Sequence, residues 1–319
     1  MIRSRPHSTF LDPSARAAGL LGVAVLLALS IAMPRRARAQ ACCVATGLTT
    51  PARLRLYEDG AVGVQTRIRS VLGSFDARGN YVPAPAGDHE LDAEEDLFVA
   101  KRFGPHWQIS LQVPFVQTAR SAGSVSGWGG GLGDVSANAR WDVLIAGDRP
   151  GQPGIALLAG VTPPSGRSQD ASSDPSNTAA TGTGAWQGNL GLSVEPVFGR
   201  WFASVSAWVG QRTSTTEPIV ETFAPTFTQL LEGGYTFVDN RSIGGFLQAM
   251  QQGNARDARG SVAGSAVGLF TGGVAFIWPF GSDEWRLQSS AAADLPLDNL
   301  GRNHSTGVSV TAAVVRAWM

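Results

Sequence analysis

The sequence predicts an all-β protein: a single closed antiparallel transmembrane β-barrel of about twelve strands that follows an N-terminal signal peptide. Three observations support this prediction. An apolar run followed by a cleavage pattern lies near the N-terminus, successive segments alternate between apolar and polar residues, and the connections between these segments alternate between long and short.

The N-terminus indicates export. Three arginines precede the apolar run 17–33, and the small-x-small pattern Ala37-Arg38-Ala39 follows it. Signal peptidase recognises this arrangement, so we expect residues 1–39 to be a signal peptide and the mature chain to begin at Gln40. No later stretch approaches the length of about 18 apolar residues that a membrane-spanning helix requires.

Two alternatives remain open for this region. The run could be an uncleaved membrane anchor, although its seventeen residues are short for a span of about 20. A lipoprotein would be modified at Cys42, although Gln40 and Ala41 form a poor recognition sequence. Cys42 and Cys43 are the only cysteines and are adjacent, which excludes a disulfide framework and a four-ligand metal site, and we expect no cofactor.

The strand prediction rests on a period of two. In 107–115 apolar residues alternate with polar ones, so one face is apolar and the other polar: Trp107, Ile109, Leu111, Val113 and Phe115 against Gln108, Ser110 and Gln112. The same alternation recurs at 62–69, 134–143, 189–195, 201–209, 285–291 and 307–318. It is weaker at 94–103, 154–163, 225–238, 241–251 and 265–278.

The connections and the tryptophans support a membrane barrel. Long connections, such as 72–93 and 164–185, alternate with short turns, such as 104–106 and 239–240. Bacterial outer-membrane barrels have this organisation, with both termini in the periplasm. We therefore expect 40–61 to be an N-terminal periplasmic segment and 62–319 to be the barrel. Six of nine tryptophans fall at the predicted periplasmic ends of strands, whereas a soluble sandwich would not concentrate them there.

The polar face predicts the lining of a lumen. Eleven residues would face inward: Arg67, Arg69, Gln108, Gln112, Asp134, Asn138, Arg140, Asp142, Glu195, Glu232 and Arg286. Their mixed charges allow two interpretations. They line a water-filled pore and set its selectivity, or they pair across the lumen and close it. Under the pore interpretation we expect Ala137 to face lipid, and we expect Arg140→Glu to leave folding nearly intact.

Several short motifs resemble a known family. They are Arg102-Phe103-Gly104, Val113-Pro114-Phe115, Gly131-Leu132-Gly133-Asp134-Val135, Thr162-Pro163-Pro164-Ser165-Gly166 and Phe198-Gly199-Arg200-Trp201. Over roughly residues 90–319 the chain resembles the outer-membrane β-barrel family named after the meta-pathway of phenol degradation. The resemblance implies an outer-membrane transporter for small organic or aromatic compounds, and it implies no particular binding residues.

Enzymatic chemistry is not expected. His89, His106 and His304 are the only histidines after residue 39, and they fall in predicted loops or turns. Ser305 follows His304 directly, but adjacent residues point apart, so a solvated loop histidine accounts for it better than a nucleophile and base. The acidic run 88–96 could hold a divalent cation, but a solvated loop accounts for it better. Residues 129–133 are glycine-rich but lack the features of a phosphate-binding loop, so we expect a flexible outer loop.

The expected function is a channel or transporter in the cell outer membrane. The alternatives are a closed structural or adhesive barrel and, third, a barrel hydrolase. The expected partners are membrane lipid and lipopolysaccharide, the outer-membrane assembly machinery, and a small-molecule solute. The 25 basic and 25 acidic residues give no net charge, so nothing indicates a nucleic acid partner.

Overall fold

The computed structural model describes residues 50, 52–149, 151–169, 176–214, 222–257 and 260–319. The predicted signal peptide 1–39, the predicted first mature residue Gln40, and Cys42 and Cys43 lie outside these ranges. No helix among the described residues is long and apolar enough to cross a membrane.

Twelve long strands form the wall of the protein. They are β1 (Gly60–Phe75), β2 (His89–Phe103), β3 (Trp107–Ala122), β4 (Ser136–Leu144), β5 (Gly154–Thr162), β6 (Ala185–Glu195), β7 (Trp201–Ser214), β8 (Thr226–Thr236), β9 (Ser242–Gln252), β10 (Val267–Phe280), β11 (Ser282–Asp294) and β12 (Ser305–Trp318).

The sheet is a closed barrel. Each strand is antiparallel to the next, and β12 pairs with β1 from Gly60 opposite Trp318 to Val71 opposite Gly307. Closure leaves no strand edge in the wall, as lipid requires, because an unpaired backbone group in hydrocarbon is costly. The predicted closed antiparallel barrel of about twelve strands is therefore confirmed, and β1 begins two residues before the predicted start of the barrel at residue 62.

The wall has uneven height. The strands β1 to β3 have 16, 15 and 16 residues, whereas β4 and β5 have nine each. As a result β4 pairs only with Trp107 to Gln112 of β3. The outer half of β3 pairs instead with a short added strand, Val125–Leu132.

Two predicted loops are strands. The acidic run was expected in a loop, but all of it except Asp88 lies on β2, because its alternate residues Glu90, Asp92 and Glu94 face basic groups on neighbouring strands. The glycine-rich run was expected to be a flexible loop, but most of it belongs to Val125–Leu132. A Cβ on Gly129 would lie 2.8 Å from the Thr178 carbonyl oxygen, and one on Gly130 would lie closer still to the Val116 carbonyl oxygen, so side chains would not fit at these two positions.

The outer surface is apolar and carries an aromatic girdle at the end with the short turns, which we call the periplasmic end. Trp107 and Trp141 stack there with ring centroids 5.5 Å apart, and Trp201 meets Tyr235 at 5.0 Å. Arg241 lies over Trp278 at 5.1 Å from its ring centroid. Aromatic rings of this kind mark the boundary between hydrocarbon and water.

Large inward-facing side chains lie flat against the wall because a glycine is their direct cross-strand partner. Trp208 lies on Gly191, Phe246 on Gly273 and Asn138 on Gly160. A Cβ atom on Gly191 would lie 2.5 Å from Cδ1 of Trp208, and one on Gly160 would lie 2.6 Å from Oδ1 of Asn138. These inward glycines keep bulky groups out of the centre of the barrel.

Candidate functional site: the barrel lumen

The lumen contains two adjoining cavities. The outer cavity has a volume of about 460 Å³ and the inner cavity about 480 Å³, and Gln248 of β9 lines both. Charged residues of β1, β2 and β11 line the outer cavity. The inner cavity has a mixed wall of Arg140, Trp208 and Leu158 with several amide side chains.

Ion pairs between neighbouring strands surround the outer cavity. Arg67 of β1 pairs with Glu94 of β2 at 2.5 Å. Arg69 reaches Asp92 at 3.7 Å and Asp294 of β11 at 3.2 Å. Because each cation lies beside a carboxylate, this part of the wall is polar and carries little excess charge.

A segment of chain before β1, residues 52–59, lies inside the periplasmic end of the barrel; we call it the inner segment. Its Leu54 is fully buried. The side chain packs in a cluster with small and apolar groups of β1, β2 and β12, which are Ala61, Phe98, Ala100, Ala313, Val315 and Ala317. These side chains form an apolar pocket that matches Leu54, and docking of Leu54 removes apolar surface of both from water.

Polar side chains of the wall bind the backbone of the inner segment. Gln108 of β3 accepts a hydrogen bond from the Leu54 amide at 3.1 Å and donates one to the Ala52 carbonyl at 3.0 Å. Arg102 of β2 donates to the carbonyl oxygens of Glu58 at 3.0 Å and Arg55 at 2.9 Å. These contacts satisfy backbone groups that would otherwise be buried without partners.

The inner segment also completes a buried cluster of charges. Arg140 donates to Asp142 at 2.7 Å and pairs with Glu195 at 2.6 Å. From the inner segment, Arg53 pairs with Glu195 at 3.4 Å. Glu58 of the same segment pairs with Arg286 of β11. Buried charges are tolerated only when they are paired in this way, so the segment and the wall depend on each other electrostatically.

The outer mouth is narrowed on one side. Residues 176–183 lie against the inward face of Val125–Leu132, where a Cβ on Gly129 would lie 2.8 Å from the Thr178 carbonyl oxygen. Arg120 of β3 donates to the Ser176 carbonyl at 2.7 Å. Asp134 accepts hydrogen bonds from the backbone amides of Gly166 at 2.8 Å and Thr183 at 2.6 Å, which joins two outer connections.

Another outer connection, between β1 and β2, contains a tight turn around Asp76. The side chain and backbone amide of Asn80 donate to the Asp76 carboxylate at 2.9 Å each. These hydrogen bonds favour the charged form and hold the pKa of Asp76 below its ordinary value.

The structure places ten of the eleven residues predicted for the lumen at inward positions of the strands: Arg67, Arg69, Gln108, Gln112, Asn138, Arg140, Asp142, Glu195, Glu232 and Arg286. Of these, Arg140, Asp142 and Glu195 meet directly. Asp134 was expected on a strand, but β4 begins only at Ser136 and Asp134 lies in the connection before it. Their part in conduction remains a prediction.

The sequence analysis did not identify the inner segment. Arg53, Leu54 and Glu58 fall in the predicted N-terminal periplasmic segment 40–61, for which no role was predicted. A signal was present, because residues 52–56 alternate between apolar and basic side chains in the same way as a strand that faces two environments.

No protein-family model matches the chain, and no curated protein matches it significantly. Among solved structures, an outer membrane channel from Pseudomonas putida F1 is similar over 82% of this chain and 98% of that chain, with a TM-score of 0.65 and 16% identity. The KdgM porin in complex with oligogalacturonate matches over 81% of this chain and 99% of its own, with a TM-score of 0.44 and 10% identity. The translocator domain of the autotransporter NalP from Neisseria meningitidis matches over 98% and 100%, with a TM-score of 0.47 and 11% identity. The likeness to the Pseudomonas channel, together with the closed sheet and its apolar girdled surface, shows that this chain has the fold of an outer-membrane β-barrel and belongs in that membrane.

Proposed function

We propose that this barrel is an outer-membrane channel for small solutes. The supporting observation is the lumen itself, where an outer cavity of about 460 Å³ with a charged wall adjoins an inner cavity of about 480 Å³ with a mixed wall at Gln248. Side chains fill the interior of a barrel of about eight strands, whereas this twelve-stranded wall leaves room for the two cavities. The inward glycines support the same proposal, since they hold Trp208 and Phe246 against the wall.

We further propose membership of the family named after the meta-pathway of phenol degradation and small organic, including aromatic, solutes. The sequence motifs support the family. The inner cavity supports the solute class, because Trp208, Leu158 and Leu230 give it apolar surface while Gln187, Asn189 and Gln248 offer hydrogen bonds. Cavities that bind organic molecules combine these two kinds of surface.

We also propose that the protein is not an enzyme. The described histidines support this, because the hydrogen-bond partner found for each ring is a backbone carbonyl and not the side chain of a nucleophile. The partners are Gly87 at 3.3 Å for His89, Asp142 at 2.6 Å for His106 and Ser305 at 2.6 Å for His304.

The closed structural barrel is the second candidate, and the inner segment favours it. With Leu54 seated in its apolar cluster, residues 52–59 occupy the periplasmic end of the lumen. We propose that the channel opens when this segment leaves or rearranges, and the two candidates differ in whether it does so.

Single-channel conductance of the refolded protein in planar bilayers tests the proposal. We expect a measurable conductance for the wild type. Gly191→Val should lower it, because the new side chain displaces Trp208 from the wall into the inner cavity. Gly188→Val is the matched control on the same strand, since a Cβ there meets open space, and it should conduct like the wild type. A wild type that folds but never conducts would establish the closed structural barrel instead.

A further inference from the structure

The outer surface of the barrel carries one carboxylate in an otherwise apolar region. Glu95 of β2 lies between Glu94 and Asp96, whose side chains face the lumen, so its own side chain faces lipid. Its cross-strand partners, Thr66 and Phe115, are outward-facing as well. Above the tryptophan girdle, no other outward position on the described parts of the twelve strands carries an aspartate or glutamate.

Large apolar side chains surround this carboxylate on the outer surface. Phe115 lies beside Glu95, and Leu97 lies on its periplasmic side. Ile68 and Leu91 lie toward the outer end of the barrel. All four side chains are exposed. The neighbouring amide of Gln117 donates a hydrogen bond to Glu95 at 3.5 Å. A carboxylate and an amide thus form a small polar patch within a surface built for hydrocarbon.

The depth of the patch identifies the kind of lipid group it can meet. Phe115, opposite Glu95, is eight residues along β3 from Trp107 in the periplasmic girdle. With a rise of about 3.3 Å per residue and a tilt of about 40°, this places Glu95 about 20 Å above the girdle. The apolar band of such barrels is about 25 Å tall, so the patch lies near its outer boundary.

We infer that Glu95 and Gln117 form a binding site for the glycolipid of the outer leaflet. In lipopolysaccharide, acyl chains join the glucosamine units through amide groups and carry hydroxyl groups close to that junction. These N–H and O–H donors lie near the outer boundary of the hydrocarbon and complement a carboxylate. A glycerophospholipid whose acyl chains are joined through esters offers no donor at that depth. The site is independent of the lumen and therefore of the proposed channel function.

The test uses purified, folded protein and lipid A as the probe, with the melting temperature of the barrel as readout. We expect lipid A to raise the wild-type melting temperature and phosphatidylethanolamine to have no such effect. Glu95→Leu removes the acceptor and should need about tenfold more lipid A for the same rise, the equivalent of one hydrogen bond to a charged group. In phosphatidylethanolamine alone the same variant should be at least as stable as the wild type, which shows that it still folds.

Gln229→Leu provides the control. Gln229 also faces outward, on β8, but its cross-strand partners are Ala207 and Ala249, so this variant should keep the wild-type response. An unchanged lipid A response in Glu95→Leu would overturn the inference. So would an equal response of the wild type to phosphatidylethanolamine. A dimer that forms without lipid A and is lost in Glu95→Leu would assign the patch to a second copy of the chain instead.

Discussion

The apolar cluster that surrounds Leu54, which we call its seat, allows a quantitative prediction about the inner segment. Leu54 is fully buried among side chains of β1, β2 and β12, and Leu54→Ala leaves a cavity there. Buried leucine-to-alanine changes cost about 3–5 kcal/mol. The substitution leaves the barrel wall unchanged, so we expect the lost free energy to weaken the docking of the inner segment. Taking about 3 kcal/mol, the undocked population should rise roughly 100-fold.

Trypsin provides a direct assay of this population. Arg53 and Arg55 flank Leu54; Arg55 is buried and the Arg53 side chain is only 12% exposed, so we expect cleavage after either residue to require undocking. When opening and closing are fast, the cleavage rate follows the undocked population. Leu54→Ala should therefore be cleaved roughly 100-fold faster than the wild type at these two sites. If undocking opens the channel, the variant should also spend more time in a conducting state.

The matched control is Leu56→Ala in the same segment. Leu56 is 42% exposed, and its truncation should change the cleavage rate by about twofold or less. If Leu54→Ala were cleaved at Arg53 and Arg55 no faster than the wild type, burial of Leu54 would not stabilise the docked segment, and the prediction would be wrong.

Three further predictions concern the wall and the N-terminus. Arg140→Glu should destabilise the barrel by about 3–5 kcal/mol, because it places a third carboxylate beside Asp142 and Glu195. Urea unfolding in lipid vesicles measures this change in stability, and an unchanged unfolding midpoint would contradict the prediction. In the same assay Ala137→Arg, on the lipid face of β4, should cost about 2–4 kcal/mol, whereas Asn138→Arg, which lines the inner cavity, should cost much less. Mass spectrometry of membrane-extracted protein should find Gln40 as the first residue, and a chain that retains Met1 would indicate the uncleaved anchor.

The wall of the barrel was predictable because its outer face is determined locally. Whether Ile109 or Val310 contacts lipid depends on the hydropathy of each residue and the parity of its strand, and both can be read from the sequence. The closing pair of strands followed from the even strand count and the requirement for closure.

The interior was less predictable because its contacts join distant parts of the chain. The seat of Leu54 combines β1, β2 and β12, and no local pattern shows that Val315 and Ala61 will meet there. The expectation for Arg140→Glu illustrates the same limit. Parity placed Arg140 inward correctly, but the sequence did not reveal that Asp142 and Glu195 enclose it, and the structure reverses the expectation that folding would be nearly intact.

The inward glycines have a consequence for mutational tolerance. Gly160, Gly191 and Gly273 each support a side chain from the neighbouring strand, so almost any replacement there alters the bore. Outward glycines such as Gly188 and Gly233 meet open space or ordinary contacts, and substitutions at them should pass unnoticed. A saturation scan of the glycines would therefore mark the inner face on strands that carry inward glycines, such as β5, β6 and β10, from positions that contribute no side chain to it.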